Sequence, residues 1–193
     1  MSNFSPEQIN ELIRSRRSIF PKMYIDKPIP KETIQQVLEN ANWAPTHKLT
    51  EPWRFKVYRG EALEQLGITL SGVYKAHTSE ENFKEMKFQK IQKKALQSDT
   101  MVAIIMKRDP KESLPEWEEI AAVACAVQNM WLTCTANDIG CYWSSPGFIK
   151  HLNAPLNLNP GERCLGFFYM GYHQMPPIEW MRKPIDEKVE WVD

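Results

Sequence analysis

Ala44-Pro45-Thr46-His47-Lys48-Leu49-Thr50-Glu51-Pro52-Trp53-Arg54-Phe55 places an imidazole, an ammonium group, a carboxylate and an indole between two prolines. Proline fixes its own φ and restricts the residue before it, so the stretch reads as a stiffened loop running into a strand. Loops held stiffly on a scaffold are common places for ligands. A lone histidine is nevertheless more often structural than catalytic. No His-Glu-x-x-His surrounds His47, and His77, His151 and His173 are scattered, so no metal site is expected.

N-terminal to this loop, Ile34, Val37, Leu38 and Ala41 recur at helical spacing between the breaker at Pro28–Pro30 and Pro45. Further back, Ser5-Pro6-Glu7-Gln8 has a capping serine, a proline at the first helical position and a glutamine at the third. That pattern predicts a first helix over Pro6 to Ser15. Arg14, Arg16 and Arg17, with Ser15 and Ser18, crowd its C-terminal end. Arginine forks suit a phosphate dianion, each sheltered charged hydrogen bond contributing about 1.5–3 kcal/mol. The same arginines would equally offset the helix dipole and face water, and spacing alone does not choose.

C-terminal to the loop, Arg54 to Tyr58 alternates like a half-buried strand, whereas Met101 to Met106 is apolar throughout, like a central strand of the same sheet. Between them, Glu80 to Gln97 carries its acids early and Lys90, Lys93 and Lys94 late, as the helix dipole favours. Those lysines read as a solvated helix face rather than a phosphate patch. Ile120, Val123, Ala124, Val127, Trp131 and Cys134 mark a long helix over Glu116 to Asn137, with Gly140 expected at its end. Gly140 to Gly147 mixes aromatic, small and hydroxyl residues, a composition that admits a flat ligand or makes a buried turn. Cys164 to Met170 supplies another apolar strand before a tail rich in proline and tryptophan, with Trp180 and Trp191, that closes with Val189 to Val192.

Helices and strands alternate irregularly, which predicts an α+β arrangement. No Gly-x-Gly-x-x-Gly follows a strand and no Gly-Lys-Ser/Thr loop is present, so common dinucleotide and nucleotide-hydrolase signatures are missing. At 193 residues the chain is expected to be one domain, residues 1–193. Its 24 basic and 24 acidic side chains cancel, leaving no net field to favour nucleic acid or an anionic membrane. The start is polar and no apolar run approaches the roughly 18 residues of a membrane span, so a cytoplasmic protein is expected. Cys125, Cys134, Cys141 and Cys164 lack Cys-x-x-Cys pairing and read as buried, reduced thiols.

Taken in order, these segments resemble the nitroreductase family, in particular its short bacterial branch. Arg16-Arg17-Ser18 looks like the family's Arg-Arg-Ser entry motif, and Ala44 to Phe55 is similar to its Ala-Pro-x-His-Lys-x-x-Gln-Pro-Trp-Arg-Phe. Gln128-Asn129, Gly140 to Ser145 and Gly171-Tyr172 follow in register, so the resemblance covers roughly Ile9 to Pro184. It implies a central mixed, mostly antiparallel sheet flanked by helices, in an intertwined homodimer with FMN at the interface. NADH or NADPH would reduce the flavin, and a nitroaromatic, a quinone or a similar electron-poor acceptor would reoxidise it in a ping-pong cycle.

By position, the resemblance puts Arg16, Arg17 and Ser18 on the phosphate and ribityl side of FMN, with Arg182 reaching the phosphate from the tail. His47 and Glu51 would come from the partner subunit, and Trp143, Ser144 and Ser145 would lie beside the flavin. No catalytic acid is assigned. Glu51 departs from the family's usual glutamine, and an ionised carboxylate cannot donate a hydrogen bond. Nearby, Lys48 or Arg54 could compensate. The same pocket would also serve a flavin-binding or assembly module without turnover, and the basic residues alone would suit an interaction protein with an acidic partner.

Overall fold

The computed structural model describes residues 5–176 and 181–192. Helices α1 (Pro6–Ser15) and α2 (Lys31–Asn42) precede strand β1 (Trp53–Arg59). Helices α3 (Glu61–Ala76) and α4 (Glu85–Leu96) lead to β2 (Thr100–Lys107), and α5 (Glu116–Ala136) to β3 (Ile139–Ser144) and β4 (Glu162–Tyr172). The strands form one antiparallel sheet in the order β1-β2-β4-β3. A parallel contact enters only as the bridge from Ser18 to Cys141, where the chain leaving α1 lies along the β3 edge.

Strand β2 explains the layering. Val102, Ile104 and Met106 face a core built with α2 and α5, while Met101, Ala103 and Ile105 face a second core under α3 and α4. Burial on both faces is why this strand reads as an unbroken apolar run. On α5, Val123, Ala126, Val127 and Met130 are sealed in the first core. The opposite condition holds at α1: its capping box is formed, yet it buries none of its residues, and Ile9 and Ile13 stay exposed.

Several expectations need correction. The helix α3 was not anticipated, because Gly67 and Gly72 interrupt its apolar pattern. A Cβ at Gly67 would stand 3.1 Å from the Ala95 Cβ and 3.3 Å from the Gln92 backbone, so that glycine lets α3 and α4 pack closely. Helix α4 begins at Glu85; Glu80 and Glu81 belong to the preceding turn. Gly140 does not end α5, since the chain reverses at Asp138 with φ 56°, and Gly140 lies within β3. A Cβ there would sit 2.9 Å from Ile19, so the glycine admits the crossing segment. Residues 140–144 are thus strand rather than turn. Cys125 is exposed on α5, whereas the other three thiols are buried. Trp180 lies outside the described residues.

Candidate functional site

At Arg16 the backbone leaves helical geometry, with φ −56° and ψ 128°. The Arg16 guanidinium stacks over the Trp131 ring, 4.7 Å from its centroid, and the Trp131 indole donates to the Arg17 carbonyl at 3.0 Å. Trp131 is itself wedged edge-on against Phe168. Arg17 donates to the Arg14 and Arg16 carbonyls, and the Ile19 amide to the Cys141 carbonyl at 3.0 Å. The turn after α1 is therefore fixed by α5 on one side and β3 on the other.

This turn borders a cavity of about 700 Å³ whose walls include Arg14, Arg16, Arg17, Arg182 and Gln128. Among the described residues no carboxylate lines it, and neither Arg16 nor Arg182 belongs to an ion pair. Burial lowers the Arg16 pKa, and the like charges of Arg182 and Arg17 lower it further. The guanidinium nonetheless stays charged at neutral pH, so like charges are crowded together here and a bound anion would relieve their repulsion. Phosphate suits it in charge and in the planar donor geometry offered. The sequence expectation for Arg16, Arg17 and Arg182 is thus brought into one cavity. Ser18 is not on its lining; it is exposed at the β3 bridge.

The proline-bounded loop holds a short 3-10 turn, His47–Leu49. Lys48, Leu49 and Glu51 all adopt positive φ, 51°, 53° and 41°, which side chains with a Cβ resist. External contacts hold them there. The Thr46 hydroxyl accepts from the Glu51 amide at 3.2 Å, and Arg54 donates to the Glu51 carbonyl at 2.8 Å. His47 Nδ1 meets the Glu118 carboxylate at 2.6 Å, and the Lys48 ammonium donates to the Ser113 carbonyl at 2.9 Å. The segment receiving these contacts is locked in turn by Glu119, fully buried at the start of α5, which accepts from Arg108 and from the Asp109 amide. Lys48 donates to the Ser113 carbonyl, whereas Arg54 donates to the carbonyls of Glu51 and Trp53 and so keeps its charge beside the exposed Glu51.

Trp143, Ser144 and Ser145 stand at the far end of β3 and just beyond it. The Trp143 indole donates to the Leu165 carbonyl at 3.2 Å, across Gly166. Gly166 has φ 141° and sits where the β2–β4 register slips by one residue. This bulge makes room for the indole, since a Cβ on Gly166 would fall 2.3 Å from Trp143 Nε1 and 2.6 Å from the Ser144 carbonyl oxygen. Neither His47, Glu51 nor the Trp143–Ser145 group lines the arginine cavity within one chain. Sequence reading missed Trp131, Arg108, Glu119 and Gly166. An acid in a helix's first turn and a glycine in a strand carry no distinctive signal, and Trp131 registered only as part of an apolar face.

A model of the nitroreductase family matches residues 13–172, and the chain belongs to that family of oxidoreductases. YfhC of Bacillus subtilis is 26% identical over 182 residues, covering 93% of this chain and 92% of its own. A nitroreductase-like family protein from Bacillus cereus superposes with a TM-score of 0.81 at 28% identity, covering 100% of this chain and 98% of its own. The fold is also that of the FMN-dependent nitroreductase NfnB from Mycobacterium smegmatis, solved with NADPH: TM-score 0.77, 15% identity, coverage 97% and 99%.

Proposed function

We propose that this protein is an FMN-dependent oxidoreductase that takes electrons from NADH or NADPH and delivers them to a nitroaromatic, quinone or similar electron-poor acceptor. The observation that carries the reading is the arginine cavity, a concave cluster of cations with no carboxylate on its lining among the described residues. Its position in the chain matches the phosphate-binding motif implied by the resemblance. YfhC is named for NAD(P)H nitroreduction, and NfnB is an FMN-dependent nitroreductase solved with NADPH, which supports the same cofactor pair here.

In this reading Arg16, Arg17 and Arg182 hold the FMN phosphate, with Ser18 toward the ribityl chain. Trp143, Ser144 and Ser145 border the ring system, and the bulge at Gly166 keeps that wall in place. His47 and Glu51 reach the same flavin from the second subunit, which accounts for their absence from the arginine cavity of their own chain. Residues 1–193 work as one FMN-binding domain of an intertwined cytoplasmic homodimer. Trp43, Leu49, Trp117 and Trp191 are exposed apolar surface that such an interface would cover.

Bound FMN supplies a two-electron carrier between reductant and acceptor. The residues orient it, neutralise its phosphate and shield its ring from water. Because reductant and acceptor use one face in turn, initial-rate plots should be parallel. A first test is the visible spectrum of the purified protein, release and identification of the chromophore, and anaerobic addition of NADPH or NADH. Bound FMN that bleaches supports the enzyme; bound FMN that stays oxidised points to a flavin-binding module. A protein that takes up no FMN ends the reading.

A further inference from the structure

Lys84, at the N-cap of α4, and Lys87, Lys90 and Lys94 within the helix lie along the side that meets the loop following β3. Lys87, Lys90 and Lys94 line a cavity of about 340 Å³ whose other walls include Ser144, Phe148 and Tyr169. A second cavity, of about 550 Å³, shares Lys87, Gly147 and Phe148 with the first and adds Lys84, Lys150 and the pair His77 and His151. The two form one groove of a size suited to a small-molecule ligand. Among the described residues neither lining contains an aspartate or a glutamate, and none of these lysines is in an ion pair.

Lys84, Lys87 and Lys90 are exposed, but two of the groove's lysines, Lys94 and Lys87, also contact its aromatic walls. Lys94 is half-buried and donates to the Tyr142 hydroxyl at 2.7 Å, over a ring stacked on Tyr169 at 4.9 Å. Lys87 lies 4.7 Å above the Tyr74 ring. His77 and His151 stack face to face at 3.6 Å, and burial, His77 and Lys150 together lower the His151 pKa. Positive charge therefore accumulates along an aromatic-walled groove in a chain whose formal net charge is zero.

We propose that this groove recognises the phosphates of the reduced dinucleotide, and that it gives the protein a preference for NADPH, which carries a 2′-phosphate, over NADH. The inference rests on the oxidoreductase reading, because Ser144 joins the groove to the wall assigned to the flavin ring. An elongated ligand entering at Ser144 and running past Lys87 meets lysines along its whole length. Phosphate groups would then occupy a site of concentrated cationic field.

The test is calorimetric titration of the purified protein with adenosine 2′,5′-bisphosphate, adenosine 5′-monophosphate and 4-nitrobenzoate. The variants are Lys87→Gln/Lys90→Gln and Lys84→Gln/Lys150→Gln, with FMN uptake measured in parallel by fluorescence quenching. The bisphosphate should bind more tightly than the monophosphate, and removing a lysine pair should weaken it about tenfold, less as salt rises. Equal binding of the two nucleotides, or bisphosphate affinity unchanged in both variants, overturns the proposal. Loss confined to 4-nitrobenzoate also overturns it, assigning the groove to an anionic acceptor. Failure of the wild-type protein to take up FMN would instead remove the underlying oxidoreductase reading; normal FMN uptake with unchanged nucleotide affinity removes the groove alone.

Discussion

Replacing Gly166 with alanine should be among the most damaging single-methyl changes available in this protein. The residue sits at φ 141°, a region that side chains with a Cβ rarely adopt, and holding alanine there costs about 1–3 kcal/mol. The new methyl would also fall 2.3 Å from Trp143 Nε1 and 2.6 Å from the Ser144 carbonyl oxygen. The indole can swing away only by giving up its hydrogen bond to Leu165, about 1 kcal/mol, and the Ser144 contact is with backbone, so β3 itself must move. The expected destabilisation is about 3–5 kcal/mol, a large part of an ordinary domain's stability. Urea unfolding measures it, and Gly72→Ala is the control. Gly72 is exposed inside α3 with nothing within 4 Å of a Cβ, so alanine there should stabilise by about 0.5–1 kcal/mol. A Gly166→Ala protein within about 1 kcal/mol of wild type would refute the account of the bulge.

Arg16→Ala should weaken FMN binding roughly ten- to a hundredfold, the loss of one charged hydrogen-bonding group, with Arg16→Lys recovering only part of it. Unchanged affinity in a flavin quenching titration would remove Arg16 from the site. Glu51→Gln should raise the flavin potential, because the carboxylate disfavours the anionic reduced ring; identical redox titrations would show that Glu51 is too far away. His151 has a depressed pKa in the fold, so the unfolded chain takes up its proton first, near pH 6.5. Its contribution to stability is full above that pH and is lost as pH falls toward the folded value. Urea midpoints should therefore decline from about pH 7 downward, less steeply in His151→Asn, and a rise on acidification would contradict the sign.

The parts of this fold that were legible in the sequence are those governed by local rules. Ser5-Pro6-Glu7-Gln8 is a capping box, and both of its hydrogen bonds form. The apolar run of β2 reports burial on two faces, and the periodicity of α5 reports one continuous core. Helix α3 was illegible because its glycines answer to a neighbour: Gly67 is small for the sake of α4, a contact between residues far apart in sequence. Gly140 misled in the same way, reading as a helix end while serving the crossing of Ile19. At the site, the arginines stood out by density. The contacts His47–Glu118 and Lys48–Ser113, which hold the proline-bounded loop in its strained form, join distant segments and leave no periodic trace.

Charge balance was the least informative part of the sequence, and the structure shows why. Equal numbers of acids and bases exclude a strong overall field, but they set no limit on local segregation. In the folded chain three acids of the β2–α5 connection and early α5 are spent on structure: Glu119 on Arg108, Glu118 on His47, and Asp109 on the Ser113 hydroxyl and amide. Among the described residues the two concavities receive cations and no carboxylates, arginines where α1 ends and lysines along α4. Arginine's planar fork suits a phosphate held in one orientation for the life of the protein. Lysine's mobile point charge suits phosphates that must arrive and leave with every turnover. That division of basic residue types matches a resident flavin in the first cavity and an exchanging dinucleotide in the second. It also implies that salt weakens the second interaction more than the first, because Lys84, Lys87 and Lys90 are exposed while Arg16 is half-buried.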